Sequence, residues 1–319
     1  MRLSVVVGTY NRRTQLQACI DSVFEQTRTQ VRVYVTDAGS GDGTREYLES
    51  VASERLIPID GGERVGQARA YNEVFARVQT PYVAWLSDDN VVVNRGLDAA
   101  AGVLDEHPDF GMVGLNVKDV TGPFVNAPYI GGLSSIGILN VNQGVLRTEI
   151  LKEVGGFSEA FRDYGIDPDL TARVLFSGHT VAYTRRIALH HYRGWNEDPL
   201  SPEYARRMEK QRAYHRLYQE KYGHLANGDT RWRARKLLWG MLQRATGCSL
   251  DSTRPFLGLT PRDWHNVLVS RYISPLDPLL CRRKAYHLVQ YCPHHKRPKS
   301  LPGEPLGARA CPSPTTEHP

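Results

Sequence analysis

The chain has 319 residues, 41% of them hydrophobic, with a net charge of +6 and a pI near 9.0. Enough apolar material is present for a sizeable core, which excludes a globally disordered chain. The five cysteines, Cys19, Cys248, Cys281, Cys292 and Cys311, are odd in number and scattered, which argues against a disulfide framework and for a reducing, cytoplasmic setting.

No charged leader, apolar run and cleavage site opens the chain, and no stretch of about 18 apolar residues occurs. Neither a signal peptide nor a transmembrane helix is therefore expected. Charge is unevenly placed: residues 196–319 carry 21 Lys+Arg against 11 Asp+Glu, and residues 1–195 carry 19 against 23. A basic rear of this kind is either a solvated surface or a face for anionic lipid or nucleic acid.

Residues 3–7 form a short β-branched run ended by Gly8, which predicts a buried strand. Leu16, Ile20, Val23 and Phe24 fall on one face of a helix over 13–26. A second strand at 31–35 runs into the polar turn Thr36-Asp37-Ala38-Gly39-Ser40-Gly41-Asp42-Gly43-Thr44. A helix at 44–51, a strand at 55–59, a helix at 67–78 and a strand at 82–86 follow, the last reaching Ser87-Asp88-Asp89-Asn90. Strands alternating with helices imply βαβ units and a mostly parallel α/β sheet. Ligands in such sheets bind beyond the carboxyl ends of the strands, where the polar clusters at 8–12, 36–44 and 87–90 all fall.

From 111 to 186 the α/β pattern continues, with Gly-Gly pairs at 131–132 and 155–156 marking turns. Beyond Trp195 the character changes to a charged helix over 203–222 and a basic amphipathic helix over 232–244. The apolar stripe of that second helix, with Trp232, Leu238 and Trp239, either packs on the α/β domain or lies on an anionic membrane surface. Residues 293–319, rich in Pro and Lys, are expected to be disordered. The division is thus 1–195 as α/β domain, 196–292 as basic helical extension and 293–319 as tail.

Adjacent carboxylates at a strand end repel each other, and a hard divalent cation shared with substrate phosphates resolves this for Asp88 and Asp89. Asp37 can accept from a base or ribose, or it can serve an Asx turn. Asp167 can act as a general base, or it can be a helix N-cap with Pro168 at the first helical position. His190-His191, after a strand-like run over 180–189, can supply a metal ligand or be a packed feature. No G-x-G-x-x-G follows the first strand and no P-loop occurs. Cys281, Cys292, His294 and His295 do not have the spacing of a known zinc site.

Together these segments resemble the family 2 glycosyltransferases of the GT-A fold. Val5-Val6-Val7-Gly8-Thr9-Tyr10-Asn11-Arg12 is similar to their first strand and nucleotide loop, and the Asp37 turn to their DxGSxDGT segment. Gly66-Gln67-Ala68-Arg69-Ala70-Tyr71-Asn72 resembles the segment whose Arg lies near the nucleotide. Trp85-Leu86-Ser87-Asp88-Asp89-Asn90 resembles the DxD segment, with Ser87 where many members have the first Asp. Gly155-Gly156-Phe157 through Leu170 resembles GGFxExF…GxDxDL, with Ile166 where an acidic residue often precedes the base.

The resemblance implies an inverting, non-processive enzyme using a divalent metal (Mn or Mg) and a nucleoside-diphosphate sugar, with UDP as default and dTDP or GDP as alternatives. The acceptor would be a glycan or lipid-linked sugar in cell-surface polysaccharide or glycolipid assembly, reached from the cytoplasmic membrane face. Thr9, Tyr10, Asn11, Asp37, Arg69 and Asp88 would hold the nucleotide. Asp89 and His190 would bind the metal, and Asp167, in preference to Asp169, would be the base. The rival classes are a nucleotidyltransferase acting on sugar phosphates and a non-catalytic scaffold. The first should carry a Gly-rich loop after strand one, and the second has no need of Asp89 and Asp167 together.

Overall fold

The computed structural model describes residues 1–122, 124–125, 140–194, 198–225, 230–247, 256–269 and 286–289, with single positions at 134, 136, 138 and 254. The strands are β1 (Leu3–Thr9), β2 (Val31–Asp37), β3 (Leu56–Asp60), β4 (Tyr82–Ser87), β5 (Asn90–Val92), β6 (Phe110–Thr121), β7 (Gly144–Arg147), β8 (Thr180–Tyr192) and β9 (Tyr286–Val289). The helices are α1 (Arg13–Gln26), α2 (Thr44–Val51), α3 (Gln67–Phe75), α4 (Gly96–Glu106), α5 (Thr148–Glu153), α6 (Ile166–Phe176), α7 (Pro202–Tyr222), α8 (Thr230–Thr246) and α9 (Pro261–Val269).

One sheet runs in the order β3-β2-β1-β4-β7-β6-β8-β5, with β9 added to β8. Its front half is parallel, as the βαβ pattern requires. β7 is antiparallel to both β4 and β6, and it turns the sheet into its mixed second half. The front strands are covered on both faces, which is why they read as continuous apolar runs. Val6, Val83 and Trp85 face a core built with α3, α5, α6 and α7, whereas Val5, Val7, Ala84 and Leu86 face α1, α2 and α4. Successive side chains of a strand point to opposite faces, so a single apolar run feeds both cores.

Most predicted boundaries fall within a residue or two of the observed ones, and α3 ends three residues short of the expected 78. The start of α6 differs more usefully. Gly165, in the left-handed region at φ +86°, precedes the helix, so Asp167 sits inside the first turn and is not an N-cap. A Cβ at Gly165 would collide with the Tyr214 ring, so close packing of α7 also requires glycine here. Helix α7 starts at Pro202 behind Ser201, whose hydroxyl accepts the Tyr204 N–H at 3.1 Å. It sends Tyr218, Lys221 and Tyr222 into the interior. Gly131–Gly132, Cys281, Cys292 and the tail 293–319 with His294 and His295 lie outside the described residues.

Candidate active site

The loops after β1, β2 and β4 meet at one end of the sheet and line a cleft of about 870 Å³, within the usual range for ligand sites. The first two loops are stitched together. Asn11, in the left-handed region at φ +53°, accepts the Gly41 N–H at 2.8 Å and donates its own N–H to Ser40 Oγ at 2.8 Å. The Ser40 hydroxyl in turn donates to Asp37 Oδ1 at 2.5 Å. Asp42 accepts from the N–H groups of Arg13 and Thr44, at 3.1 and 3.2 Å, and so ties the starts of α1 and α2. Asn11 and Asp37 therefore shape the loops, while Thr9, Tyr10, Thr36 and Ala38 form the cleft wall. Beneath them the buried Tyr71 hydroxyl accepts the Gly8 N–H at 2.8 Å and donates to Leu86 O at 2.7 Å. That bridge holds the ends of β1 and β4 at a fixed spacing. It also explains Gly8, where a Cβ would come within 2.7 Å of the Tyr71 ring.

Arg69 does not reach the cleft. Positions 67, 70 and 73 of α3 face it, as a three-residue spacing on a helix dictates. Arg69 is off the cleft wall, ion-paired with Glu73 at 3.3 Å, with 60% of its side chain exposed. The cations that do line it are Arg12, Arg64, Arg162, Arg193 and Lys210. The Arg64 guanidinium lies 4.4 Å from the centre of the Tyr10 ring.

Asp88 and Asp89 are both buried at the end of β4. Thr9 Oγ donates to Asp88 at 2.9 Å, and one Arg12 nitrogen bridges the pair, 3.1 Å from Asp88 and 3.0 Å from Asp89. Burial pushes Asp88 up to about 6 against the pull of Arg12, with Asp89 adding repulsion. Asp89 goes the other way: burial opposes its charge, but His191 and Arg12 hold it below the usual carboxylate range.

The histidine beside Asp89 is His191, not His190. β8 pairs with β5 so that His191 lies opposite Asn90, and with β6 so that it lies beside Asp119. Strand alternation then turns His190 to the other face, next to Lys118, where partial burial and that cation lower its pKa. His191 Nε2 is 3.1 Å from Asp89 Oδ1, and its Nδ1 is 2.9 Å from Asp119 Oδ1. Asp119 is itself fully buried and accepts Arg193 Nε at 2.7 Å. Burial works against the imidazolium, yet the two carboxylates raise the His191 pKa overall.

A metal fits this corner. Asp89 Oδ1 is buried and makes no hydrogen bond, with the His191 ring nitrogen 3.1 Å away. A carboxylate oxygen and an imidazole nitrogen aimed at the same point are the donor set of a divalent cation. Asp119 supplies the outer contact that fixes the other ring nitrogen. Among the described residues no group of three or more His, Cys, Asp or Glu side chains gathers around one point.

Asp167 lines the same cleft, half-buried on the first turn of α6. Its Oδ1 accepts the Trp85 indole N–H at 3.0 Å, which Trp85 shares with Asn142 O at 2.8 Å. Desolvation raises Asp167 to about 8 despite that bond. Asp169, two residues on, is wholly buried and saturated by Arg173 at 2.7 Å, Lys221 at 2.9 Å and Tyr222 at 2.7 Å. It joins α6 to α7 and does not face the cleft. The segment before β7 adds Asn140, Asn142 and Gln143 to the cleft wall. Helix α7 adds Lys210 and Tyr214.

Residues 4–163, half of the chain, match the family described as Glycosyl transferase family 2; Asp167 and His191 lie just beyond the matched segment. Over 94 residues the chain is 33% identical to an uncharacterized glycosyltransferase of Nostoc sp., covering 28% of this chain and 29% of that protein. Over 88 residues it is 25% identical to the Escherichia coli UDP-Glc:alpha-D-GlcNAc-diphosphoundecaprenol beta-1,3-glucosyltransferase WfaP, covering 28% and 35%. The chain thus spans about a third of the length of these two relatives. The structure of S. aureus TarS 1-349 in complex with UDP-GlcNAc aligns at a TM-score of 0.51 and 15% identity, covering 96% of this chain and 98% of that one, a likeness of fold. The architecture is the GT-A type, and with the β1 loop, the Asp37 turn and the Asp88-Asp89 strand end all inside the matched segment, the chain belongs to glycosyl transferase family 2.

Proposed function

We propose that the protein is an inverting glycosyltransferase that moves a sugar from a nucleoside-diphosphate sugar to an acceptor hydroxyl in cell-surface polysaccharide or glycolipid assembly. The observation that carries this reading is one cleft lined by both Asp88-Asp89-His191 and a carboxylate of raised pKa, Asp167. Environments that push the pKa values of neighbouring carboxylates apart mark acid and base assignments. Here Asp89 stays ionised, while Asp167 can hold and release a proton near neutral pH.

Asp167 takes the proton of the acceptor hydroxyl as that oxygen attacks the anomeric carbon. The carbon–oxygen bond to the nucleoside diphosphate breaks, and one displacement inverts the configuration. Asp89 and His191 would hold a divalent cation, Mn or Mg, which stabilises charge on the leaving diphosphate. Thr9, Tyr10 and Arg64 flank the nucleotide, and Asp37 serves the base or ribose side through the loop that it holds with Ser40. Asp88, bonded to Thr9 and Arg12, addresses the ribose side. UDP is the first nucleotide to test, since UDP-sugars are named for WfaP and TarS. The acceptor is a glycan or a lipid-linked sugar, met at a membrane surface.

Calorimetric titration with UDP, dTDP and GDP, each with and without Mn²⁺, tests the donor site. Metal-dependent binding of one nucleotide, lost in Asp89→Ala, is the expected result. Folded protein that binds none of them would overturn the reading and leave a scaffold in its place.

A further inference from the structure

Among the described residues no helix is long and apolar enough to cross a membrane. Helix α8 nevertheless turns an apolar face outward. Leu237, Leu238, Met241 and Leu242 are 68, 55, 66 and 41% exposed. At a helical advance of about 100° per residue they share, with Ala234 and Ala245, one arc of roughly 140°, onto which positions 230 and 231 of the first turn also fall. Arg233 and Arg244 border one edge of that arc, and Arg235 borders the other. Trp239 lies outside the arc, is 4% exposed and packs against His265 of α9 with ring centres 5.3 Å apart. The helix therefore has a seat within the protein that its apolar arc does not use. The neighbouring turn, held by the Trp264 indole donating to Phe256 O at 3.0 Å, exposes Phe256 and Leu257 at 69 and 62%.

We infer that this arc of α8 inserts into the surface of an anionic phospholipid bilayer and lies in its plane. Four large apolar side chains on one exposed arc have no use in water, and contiguous patches of this kind mark interaction sites. Charge selects the occupant. Between Thr230 and Thr246 there are five Lys and Arg and no Asp or Glu. A second copy docking through the same face would set these cations against their own kind. Nucleic acid would reward the cations but not the leucines. An anionic membrane rewards both, through apolar burial in the headgroup region and attraction at each basic residue. The inference gives the lipid-linked acceptor of the proposed function a place to be met, and it rests on that reading for its purpose but not for its geometry.

The test is flotation of the full chain with vesicles of phosphatidylcholine alone, and with phosphatidylglycerol as about one lipid in three. Binding to the anionic vesicles, weakened by salt, is expected. Leu237→Asp/Met241→Asp should lower that partitioning at least about tenfold, as loss of two inserted side chains requires. Leu238→Gln/Leu242→Gln is a second, milder variant should the first misfold. UDP binding is measured on every variant and should be unchanged, so loss of nucleotide binding by the wild type reports on the catalytic reading alone. Equal binding to both vesicle types, no binding to either, variants that float like the wild type, or a wild-type dimer that the variants dissociate would each overturn the inference.

Discussion

Replacing Asp167 by Asn tests the base assignment most directly. The amide keeps the size of the side chain and its oxygen can still accept the Trp85 indole N–H, found at 3.0 Å from Asp167. Cleft shape and donor binding should persist, and only the capacity to take a proton is removed. A positioned general base contributes about 10²–10⁴ in rate, or roughly 3–5.5 kcal/mol of barrier. Transfer measured as nucleoside diphosphate release should fall by that factor with nucleotide affinity unchanged. The wild type carries a second signature. With Asp167 at about 8 in the free enzyme, roughly a tenth is ionised at pH 7. The specificity constant should therefore rise about tenfold per pH unit below 7 and level off above 8.

Stability should show the same group from the other side. Asp167 titrates at about 8 when folded against an ordinary value of 3.8. Between those values the folded state binds the extra proton, so its contribution is full below about pH 4 and is lost as pH rises through 8. The Asn variant lacks this decline, and its melting temperature should gain on the wild type as the buffer moves from pH 6 to 9. A folded Asn variant within tenfold of wild-type activity, or a flat rate profile from pH 6 to 9, would refute the assignment.

Asp119→Asn should weaken Mn²⁺ binding in the presence of UDP by about 10–100-fold, because an outer carboxylate fixes the ring of a metal-binding histidine. Electron paramagnetic resonance of free Mn²⁺ reads this without turnover, and wild-type affinity would show that His191 is oriented by something else. Lys221→Met removes one partner of the wholly buried Asp169 while Arg173 and Tyr222 remain. The loss should sit near the lower end of that for a broken buried pair, about 3 kcal/mol in urea unfolding. A change below about 0.5 kcal/mol would mean that α7 is not anchored through this contact.

The sequence alone determined the sheet's front half, because β-branched runs, amphipathic spacing and Gly-rich turns are local signals that tertiary contacts merely confirm. It also placed Thr9, Tyr10, Asp88 and Asp89 at the strand ends, since the loop that follows a buried strand has nowhere else to go. Three matters were decided only by tertiary structure. Helical phase kept Arg69 off the cleft wall, where it pairs with Glu73, and the cations of the wall, Arg64 and Arg162 among them, come from other segments. Strand register chose His191 over His190 and brought Asp119, 72 residues away, behind it. The partners contributed by α7 occupied Asp169 and so separated it from Asp167, although the two carboxylates are neighbours in the sequence. Each turns on which way a side chain points or on what a distant segment brings to it, and local composition carries neither.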